Sequence, residues 1–416
     1  MSNALKGACI FGQSGGPTSV INASAYGVIK TALDSAEITR VLGAAHGIRG
    51  VLDDRLYDMG LEDRYELSLL MNTPSSELGS VRYKIADPDV DDTDYRRILE
   101  IFKKYDVRYF FYNGGNDSMD TCEKISSYLA RSKYECRVMG VPKTIDNDLY
   151  GTDHCPGFGS AAKYIATSCM EISKDANVYD KGQITIVEIM GRNAGWLAGS
   201  AGLASHFGSG PDFIYLPEIA FDMEKFITDV AALYEKKGKV LVAVSEGICD
   251  KDGRLIAEYA SDVAEERDAF GHAQMGGLAG HLAGVIKRRT GAKVRGIELS
   301  LLQRSAAHLA SKTDVEEAFL AGQTAVLAAI AGESGKMVAF DCTRGEGGYT
   351  CTTKLLPLSA VANVEKKVPL EWVVPGGRGM TQEFVDYVLP LIQDIPERPT
   401  EHSLPRYARL KKILAK

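Results

Sequence analysis

Two short segments of the sequence carry an unusual density of groups that can do chemistry. Residues 113–118 read Asn-Gly-Gly-Asn-Asp-Ser, and residues 142–148 read Pro-Lys-Thr-Ile-Asp-Asn-Asp. Glycines and short polar residues before a helix leave backbone N–H groups that, with the helix dipole, favour a phosphate. The second segment combines two carboxylates with an amide, a hydroxyl and an ammonium. Such a set suits phosphoryl transfer, which needs charge stabilisation, in-line positioning and one base.

Each polar loop follows a run of residues typical of a buried strand, at 108–112 and 138–141. Open parallel sheets bind their ligands at such carboxyl ends of strands. Strand-like and helix-like patterns alternate along the chain, which predicts an α/β fold with mainly parallel sheets flanked by helices. The other predicted strands lie at 7–11, 184–189, 213–216 and 239–245, and the predicted helices at about 20–35, 95–102, 223–236, 271–289 and 314–332.

The composition is that of a folded protein with room for two domains that share a cleft. The chain has 416 residues, of which 45% are hydrophobic and 25% are charged. It has no apolar run of about 18 residues and no basic segment with an apolar core at its start, so we expect no membrane partner. The eight cysteines are scattered without a Cys-x-x-Cys pair, which is typical of reduced thiols in a cytoplasmic protein.

The charge balance bears on possible ligands. The net charge is −7, from 55 acidic and 48 basic residues, so we expect no nucleic-acid partner. An anionic ligand must instead be captured by locally clustered Arg and Lys side chains. The seven histidines show no spacing typical of metal ligands, so a structural zinc site is not expected.

The charged candidate side chains lie at or near the ends of these and the other predicted strands. The cations are Arg82, Lys84, Lys143, Arg192, Arg295 and Arg304, and the carboxylates are Asp117, Asp146, Asp148 and Glu246. Arginine suits bidentate phosphate binding, and a carboxylate beside a sugar can accept a hydroxyl proton. Each residue also has an ordinary structural interpretation: Asp146 and Asp148 as a turn and a helix cap, and Arg192 or Glu246 as an ion-pair partner. The joint pattern favours phosphoryl transfer over all of these.

With these residues in order, the chain resembles the phosphofructokinase family, and within it the pyrophosphate-dependent branch. The segments 144–148 and 187–192 are the most diagnostic of the shared motifs, and the end of the chain matches only loosely. The shared motifs, in chain order, lie at 14–16, 78–82, 114–118, 144–148, 190–192, Glu246, Arg295 and 303–304.

The resemblance implies two Rossmann-like domains with the active site in the cleft between them. Residues 1–157 with about 303–360 would bind the phosphoryl donor and magnesium, and residues 158–302 with about 361–416 would bind fructose 6-phosphate. It also implies a homodimer or homotetramer, because sites of this family borrow residues across subunits.

The resemblance further implies a role for each matching residue. Asp146 would take the proton of the sugar's 1-hydroxyl, with Lys143 and Arg192 as further catalytic residues. Magnesium is the implied cofactor, with Asn116 and Asp117 as its candidate ligands. The pyrophosphate site would comprise Gly15, Gly16, Arg82, Gly115, Asn116, Asp117 and Ser118. The fructose 6-phosphate site would comprise Thr144, Ile145, Asp146, Met190, Gly191, Arg192, Glu246, Arg295 and Arg304, the two last holding the 6-phosphate.

Two residues predict the phosphoryl donor. Members of the family that use ATP have glycine at the positions of Asp117 and Lys143, whereas this pair is typical of pyrophosphate users. The physical interpretation agrees, because the Asp117 carboxylate adds bulk and negative charge where a nucleotide would pass. Lys143 can neutralise the leaving phosphate. Pyrophosphate is therefore the predicted donor, and ATP is the alternative.

The chain departs from the family pattern at four positions. Asn116 replaces the usual magnesium-binding aspartate, so metal contact there would be weaker or indirect. Leu301 replaces a histidine near the sugar phosphate, and Gln183 replaces an arginine often lent by a neighbouring subunit. Tyr26 stands where regulated ATP-dependent enzymes carry an effector-binding arginine, so we predict no nucleotide allostery.

Other functions remain open at this point. A catalytically impaired sugar-phosphate sensor is motivated by Asn116 and Leu301, although a sensor needs neither Asp146 nor Lys143. Related NAD or lipid kinases lack the motifs at 144–148 and 190–192. Sedoheptulose 7-phosphate is an alternative acceptor.

Overall fold

The computed structural model describes residues 5–178, 180–259 and 277–416. Helices and strands alternate over most of this length, as the sequence pattern predicts. The strands are β1 Gly7–Gln13, β2 Ile38–Ala44, β3 Leu56–Asp58, β4 Val107–Gly114, β5 Arg137–Pro142, β6 Ile184–Ile189, β7 Phe213–Tyr215, β8 Val240–Ser245, β9 Val294–Glu298, β10 Lys336–Thr343, β11 Thr350–Pro357, β12 Val373–Val374, β13 Gly379–Met380, β14 Thr400–Glu401 and β15 Leu404–Pro405.

Most of the helices lie between successive strands. They are α1 Ile21–Leu33, α2 Ile48–Leu52, α3 Arg64–Ser68, α4 Thr93–Lys104, α5 Asn116–Arg131, α6 Phe158–Ala176, α7 Trp196–His206, α8 Met223–Lys237, α9 Leu278–Thr290, α10 Leu302–Ser305, α11 Lys312–Ile330, α12 Leu358–Val361 and α13 Gln382–Val388. The helix predicted at 271–289 corresponds to α9, and the part of it at 271–276 lies outside the described residues.

Among the described residues, two sheets carry the architecture. The large sheet has the strand order β11-β10-β5-β4-β1-β2-β3, with β4 in the middle. Its β2–β3 and β10–β11 pairs are antiparallel and its other pairs are parallel. The small sheet, in the order β7-β8-β6-β9, is parallel throughout. The fold is thus the expected α/β arrangement, although the large sheet is mixed.

The central strands of the large sheet are buried on both faces. Ile10 and Phe110 pack into the core on one face, and the next residues, Phe11 and Phe111, pack into the core on the other. Side chains alternate across a strand, so continuous apolar runs are required where helices cover both faces. This explains why β1 and β4 read as uninterrupted apolar segments and not as alternating ones.

The parallel strands bring distant polar loops together. Because β1, β4 and β5 are parallel neighbours, the loops after Gln13, Gly114 and Pro142 all emerge at the carboxyl ends of these strands, on one side of the large sheet. The small sheet does the same for the loops that follow β6 and β8. In the described parts of the chain, no helix combines the length and apolar character needed to cross a membrane.

Candidate active site

A cavity of about 950 Å³ lies where the polar loops of the two sheets meet. It collects loops that follow strands of both the large and the small sheet. Its lining residues are Ser14, Gly15, Gly16, Arg82, Gly115, Asn116, Asp117, Ser118, Lys143, Thr144, Asp146, Asp148, Arg192, Asn193, Glu246, Leu301, Arg304, Asn363 and Glu365.

The loop after β1 forms one wall of this cavity. The Gly15 N–H donates to the Val81 carbonyl (3.2 Å), and the Ser80 hydroxyl donates to the Gly15 carbonyl (2.6 Å). Gly15 has φ +73°, a conformation that favours glycine. These bonds fasten the loop to the segment that carries Arg82. The glycines also leave room for cations. A Cβ added at Gly15 would lie 3.3 Å from Lys143 Nζ, and one added at Gly16 would lie 3.1 Å from Arg304 Nη1.

The loop after β4 leads directly into α5, which begins at Asn116. A Cβ on Gly114 would lie 2.0 Å from Ser118 Oγ, so only glycine allows this tight turn. The first N–H groups of a helix lack intrahelical partners and carry its positive dipole end. This part of the cavity can therefore bind an anion, with the Asp117 carboxylate in the first helical turn.

The side chain of Asn116 is engaged by the protein. With its amide nitrogen turned toward them, Asn116 donates to the carbonyls of Val361 (3.2 Å) and Val364 (3.3 Å). Only its oxygen can then be offered to a metal ion.

Lys143 is a buried cation between the loops. The residue is only 3% exposed, and its Nζ donates to the Gly16 carbonyl at 2.6 Å. Burial lowers the pKa of Lys143 to about 8, with Arg82 and Arg304 acting in the same direction, while Asp146 opposes the shift. A positive charge held here can compensate a developing anion.

Asp146 and Asp148 are crowded carboxylates. Burial, followed by repulsion from Glu246, raises the pKa of Asp146 to about 6. Burial, followed by repulsion from Asp146, raises the pKa of Asp148 to about 7. A carboxylate with a pKa near neutrality is suited to act as a general base.

Asn147 fixes the turn at residues 142–148, which we call the catalytic turn after its predicted role. This residue is fully buried, has φ +55°, and donates from Nδ2 to the Tyr387 hydroxyl at 2.8 Å. Its Oδ1 accepts from the N–H of Cys155 at 2.9 Å. In front of it, the Asp146 N–H donates to Thr144 Oγ1 at 3.1 Å. The segment 144–148 is therefore a rigid turn and not a mobile loop tip.

The loops of the small sheet face this turn. The Gly191 N–H donates to Glu246 Oε1 (3.3 Å), and the Ser245 hydroxyl donates to the Gly191 carbonyl (2.5 Å). A Cβ on Gly247 would lie 1.8 Å from the Arg192 carbonyl oxygen. The two loops thus pack backbone against backbone and present Arg192 and Glu246 to the cavity.

Of the site residues that the resemblance implies, the structure brings all but four together at the cavity, and the further candidate Lys84 also does not line it. Ile145 packs into the apolar core, and Met190 and Gly191 support the cavity through their backbone, the Met190 N–H donating to Gln303 Oε1 at 3.0 Å. Arg295 is exposed on β9, which lies at the edge of the small sheet, and it does not line the cavity of its own chain.

Several lining residues were not among the predicted site residues. Ser14 and Asn193 adjoin predicted residues, and Leu301 stands out in the sequence only as a departure from the family pattern, whereas Asp148 is already among the candidate carboxylates. Asn363 and Glu365 come from a segment without any motif, and no local signal could have identified them.

Comparisons with known proteins agree on one family. The family model described as Phosphofructokinase matches residues 9–298. The curated protein named pyrophosphate–fructose 6-phosphate 1-phosphotransferase is 42% identical over 406 residues in Halomonas elongata, covering 97% of this chain and 96% of that protein. Its counterpart in Xanthomonas campestris is 43% identical over 414 residues, covering 98% and 97%.

A solved structure extends this likeness to three dimensions. The crystal structure of the pyrophosphate-dependent phosphofructokinase from Marinobacter aquaeolei superposes with a TM-score of 0.87 at 39% identity. The match covers 99% of this chain and 98% of that one. The chain belongs to the phosphofructokinase family.

Proposed function

We propose that this chain is a phosphotransferase that moves a phosphoryl group from pyrophosphate to the 1-hydroxyl of fructose 6-phosphate, reversibly. One observation carries the proposal. Lys143 Nζ contacts Gly16 in the loop after β1, which we call the donor loop, while Asp146, three residues further on, interacts with Glu246 in the loop after β8. A cation for the leaving group and a base for the acceptor are thus held by one rigid turn. The relatives named for this reaction, alike over nearly the whole chain, support the same conclusion.

The donor half holds pyrophosphate. N–H groups of the loops after β1 and β4, together with Arg82, bind its oxygens, because backbone amides and guanidinium groups suit phosphate. This assigns donor binding to Gly15, Gly16, Arg82, Gly115, Asn116, Asp117 and Ser118. When the bond between phosphorus and the bridging oxygen breaks, Lys143 neutralises the phosphate that leaves.

The acceptor half holds fructose 6-phosphate against Asp146. The hydroxyl oxygen at position 1 of the sugar bonds to the phosphorus, and the Asp146 carboxylate takes the proton that this hydroxyl loses. Arg192 stabilises the charge on the transferred group. Glu246 and Thr144 bind sugar hydroxyls, and Arg304 binds the 6-phosphate. Leu301 adds an apolar surface beside it.

The cavity contains oxygen ligands of the kind that a magnesium ion requires. Its carboxylates Asp117, Asp146 and Asp148 are oxygen ligands of the kind magnesium prefers, and the last two have raised pKa values because they are buried and each is repelled by a nearby carboxylate, Asp146 by Glu246 and Asp148 by Asp146. A bound magnesium ion would neutralise negative charge on the phosphates. We assign Asp117 as the main protein ligand, with Asn116 able to offer only its oxygen.

The test compares donors side by side with fructose 6-phosphate and magnesium. Turnover with pyrophosphate and not with ATP is expected. Asp146→Asn should lower kcat about 10²–10⁴-fold, the usual contribution of a general base. Turnover with ATP alone would keep the reaction but overturn the donor. An unchanged rate in Asp146→Asn would reject Asp146 as base, and inactivity of folded wild-type protein with both donors would favour a sugar-phosphate sensor.

We also propose a cytoplasmic homodimer or homotetramer in which Arg295 completes the cavity of a neighbouring subunit. Arg295 is exposed on an edge strand and absent from its own cavity. Mixing Arg295→Ala and Asp146→Asn subunits tests this, because a hybrid then contains one cavity with both native groups. Recovery of activity is expected. If Arg295 acts within its own chain, the mixture stays inactive.

A further inference from the structure

A segment that begins at the last residue of α12 contacts three parts of the candidate site, namely the start of α5, the catalytic turn and the loop after β6. We call residues 361–366 the strap. Val361, at its start, is fully buried in the core beneath the large sheet, and Asn363 adopts φ +63°. Asn363 and Glu365 line the cavity. The strap therefore combines an anchored base with side chains that face the substrates.

The strap is tied to the donor side at the start of α5. Asn116 donates from its amide nitrogen to the carbonyls of Val361 and Val364. One turn later in the helix, Asp120 accepts from Asn363 Nδ2 at 3.4 Å. The side chain of Asn116 thus directs its only hydrogen-bond donor group into the strap and away from the pyrophosphate pocket.

The strap is tied to the catalytic turn along its backbone. Glu365 pairs with Leu149 in an isolated antiparallel bridge. The Lys366 N–H donates to the Asp148 carbonyl at 2.8 Å. The Lys366 ammonium, nearly buried, donates to the Asp153 carbonyl at 2.7 Å. A shift of the strap would therefore move the backbone next to Asp148.

The strap is tied to the acceptor side through two side chains of the loop and helix that follow β6. Asn193 Nδ2 donates to Glu365 Oε1 at 2.6 Å. Trp196 Nε1 donates to the Lys366 carbonyl at 2.9 Å. Donor loop, catalytic turn and acceptor loop are thus joined by six consecutive residues.

The chemistry at Asn116 requires an amide. Two carbonyl oxygens face its side chain, and an amide nitrogen can donate to both. A carboxylate at the same place offers only acceptors, so it would repel both carbonyls and leave them without that donor. This accounts for asparagine where the family pattern has a metal-binding aspartate.

We propose that Asn116 is a positioning residue that fastens the strap, and that the strap sets the distance between the donor loop and the catalytic turn. The inference rests on the proposed function for its kinetic consequence. Its structural part, the attachment of residues 361–366 to α5, stands independently of any reaction.

The experiment compares Asn116→Asp with wild-type protein by hydrogen exchange, tryptophan fluorescence and kinetics. Trp196 bonds to the strap and lies 6.1 Å from Trp372, ring centre to ring centre, and these are the two tryptophans of the chain. We expect faster exchange across residues 361–366, altered fluorescence, and kcat/KM for pyrophosphate lowered at least tenfold, with an unchanged magnesium requirement. Asn116→Ala, which removes the donor without adding charge, should act in the same direction but less strongly.

Lys367→Ala, an exposed position directly after the strap, is the matched control and should leave exchange and turnover unchanged. Tighter magnesium binding and equal or higher activity in Asn116→Asp, with unchanged exchange, would overturn the proposal in favour of a metal-ligand role. Lower activity with unchanged exchange would also overturn it, because the side chain of Asn116 would then act directly on pyrophosphate and not through the strap. Exchange and fluorescence need no turnover, so failure of the proposed function would be recognised separately.

Discussion

Lys143 Nζ lies 2.6 Å from the carbonyl oxygen of Gly16, and this contact joins the catalytic turn to the donor loop. A second bond, from the Lys143 N–H to the Gly114 carbonyl at 3.0 Å, joins the same residue to the loop after β4. Lys143 is therefore fixed by both of its ends before any substrate binds. Such preorganised charge stabilises a transition state without further rearrangement.

The first prediction follows from this contact. Lys143→Met should lower kcat with pyrophosphate about 10²–10³-fold, the typical effect of removing one preorganised electrostatic group. Steady-state kinetics in the forward direction measure it. Lys84→Met is the control, because Lys84 is an exposed lysine outside the cavity lining and its loss should change little. Equal effects of the two substitutions would contradict the assigned role.

The second prediction concerns pH. Asp146 must be ionised to accept a proton, and burial with Glu246 raises its pKa to about 6, so kcat/KM should fall as the pH drops below that value. Lys143 must be charged, and burial lowers its pKa to about 8, so kcat/KM should also fall above that value. A bell-shaped profile with its maximum near pH 7 is expected.

Glu246→Gln identifies the group behind the acid limb. It removes a negative charge that raises the pKa of Asp146, so the acid limb should shift to lower pH. Phosphate groups also titrate near pH 6, but their ionisation is common to both proteins. An acid limb that stays in place would mean that the substrate, and not Asp146, controls it.

The parts of the site that local sequence can predict are those built from one loop. The loops at 113–118 and 142–148 combine a strand, a glycine or proline and short polar residues, and local sterics fix such turns. Parallel pairing of β4 with β5 then places the two loops side by side at the carboxyl ends of these strands. Sequence reasoning located both correctly.

The parts that local sequence could not predict depend on contacts between distant segments. The family resemblance implied a weaker or indirect metal contact for Asn116, and no local pattern indicates the partners of its amide, Val361 and Val364, which lie far along the chain. Glu365 enters the cavity only because Leu149 and Asn193 hold it there. The exposure of Arg295 follows from β9 forming the sheet edge, which no local pattern indicates.

The third prediction uses the backbone contact between the loops that follow β6 and β8. A Cβ at Gly247 would come within 1.8 Å of the Arg192 carbonyl oxygen and 2.8 Å of its Cα. Gly247→Ala should therefore displace Arg192 and raise KM for fructose 6-phosphate about tenfold or more, given that overpacking costs about 1–3 kcal/mol. Gly345→Ala, where an added Cβ meets no atom within 4 Å, is the control. An unchanged KM in Gly247→Ala would show that Arg192 can shift without loss of binding.

The fourth prediction concerns stability behind the catalytic turn. His154 is 1% exposed and lies 3.0 Å from Asp153 Oδ1 and 2.7 Å from Glu317 Oε2. Despite burial, which opposes the charged form, these hydrogen bonds raise the pKa of His154 well above its usual value. His154→Ala should lower the free energy of unfolding by about 3–5 kcal/mol, because it removes the cationic partner of the buried Glu317 carboxylate, whereas Asp153 keeps its salt bridge with Arg344.

The pH dependence of the stability that His154 contributes provides the check. A raised pKa in the folded state stabilises the protein fully below the unfolded pKa of about 6.5, and this contribution is lost as the pH rises through the folded value. Urea unfolding of wild-type and His154→Ala should therefore show the largest difference at acid pH. A difference that does not change with pH would indicate that His154 contributes by packing alone.

The last prediction concerns the choice of donor. Asp117 and Lys143 both line the cavity, Asp117 in the first turn of α5 and Lys143 against Gly16. Replacing both with glycine removes the bulk and negative charge that oppose a nucleotide and the cation that neutralises the leaving phosphate. Pyrophosphate turnover should fall more than about 10²-fold, and the ratio of ATP to pyrophosphate activity should rise. Single Asp117→Gly should raise this ratio with a smaller loss of pyrophosphate turnover, because Lys143 stays. Undiminished pyrophosphate turnover in the double variant would show that the donor is selected elsewhere in the cavity.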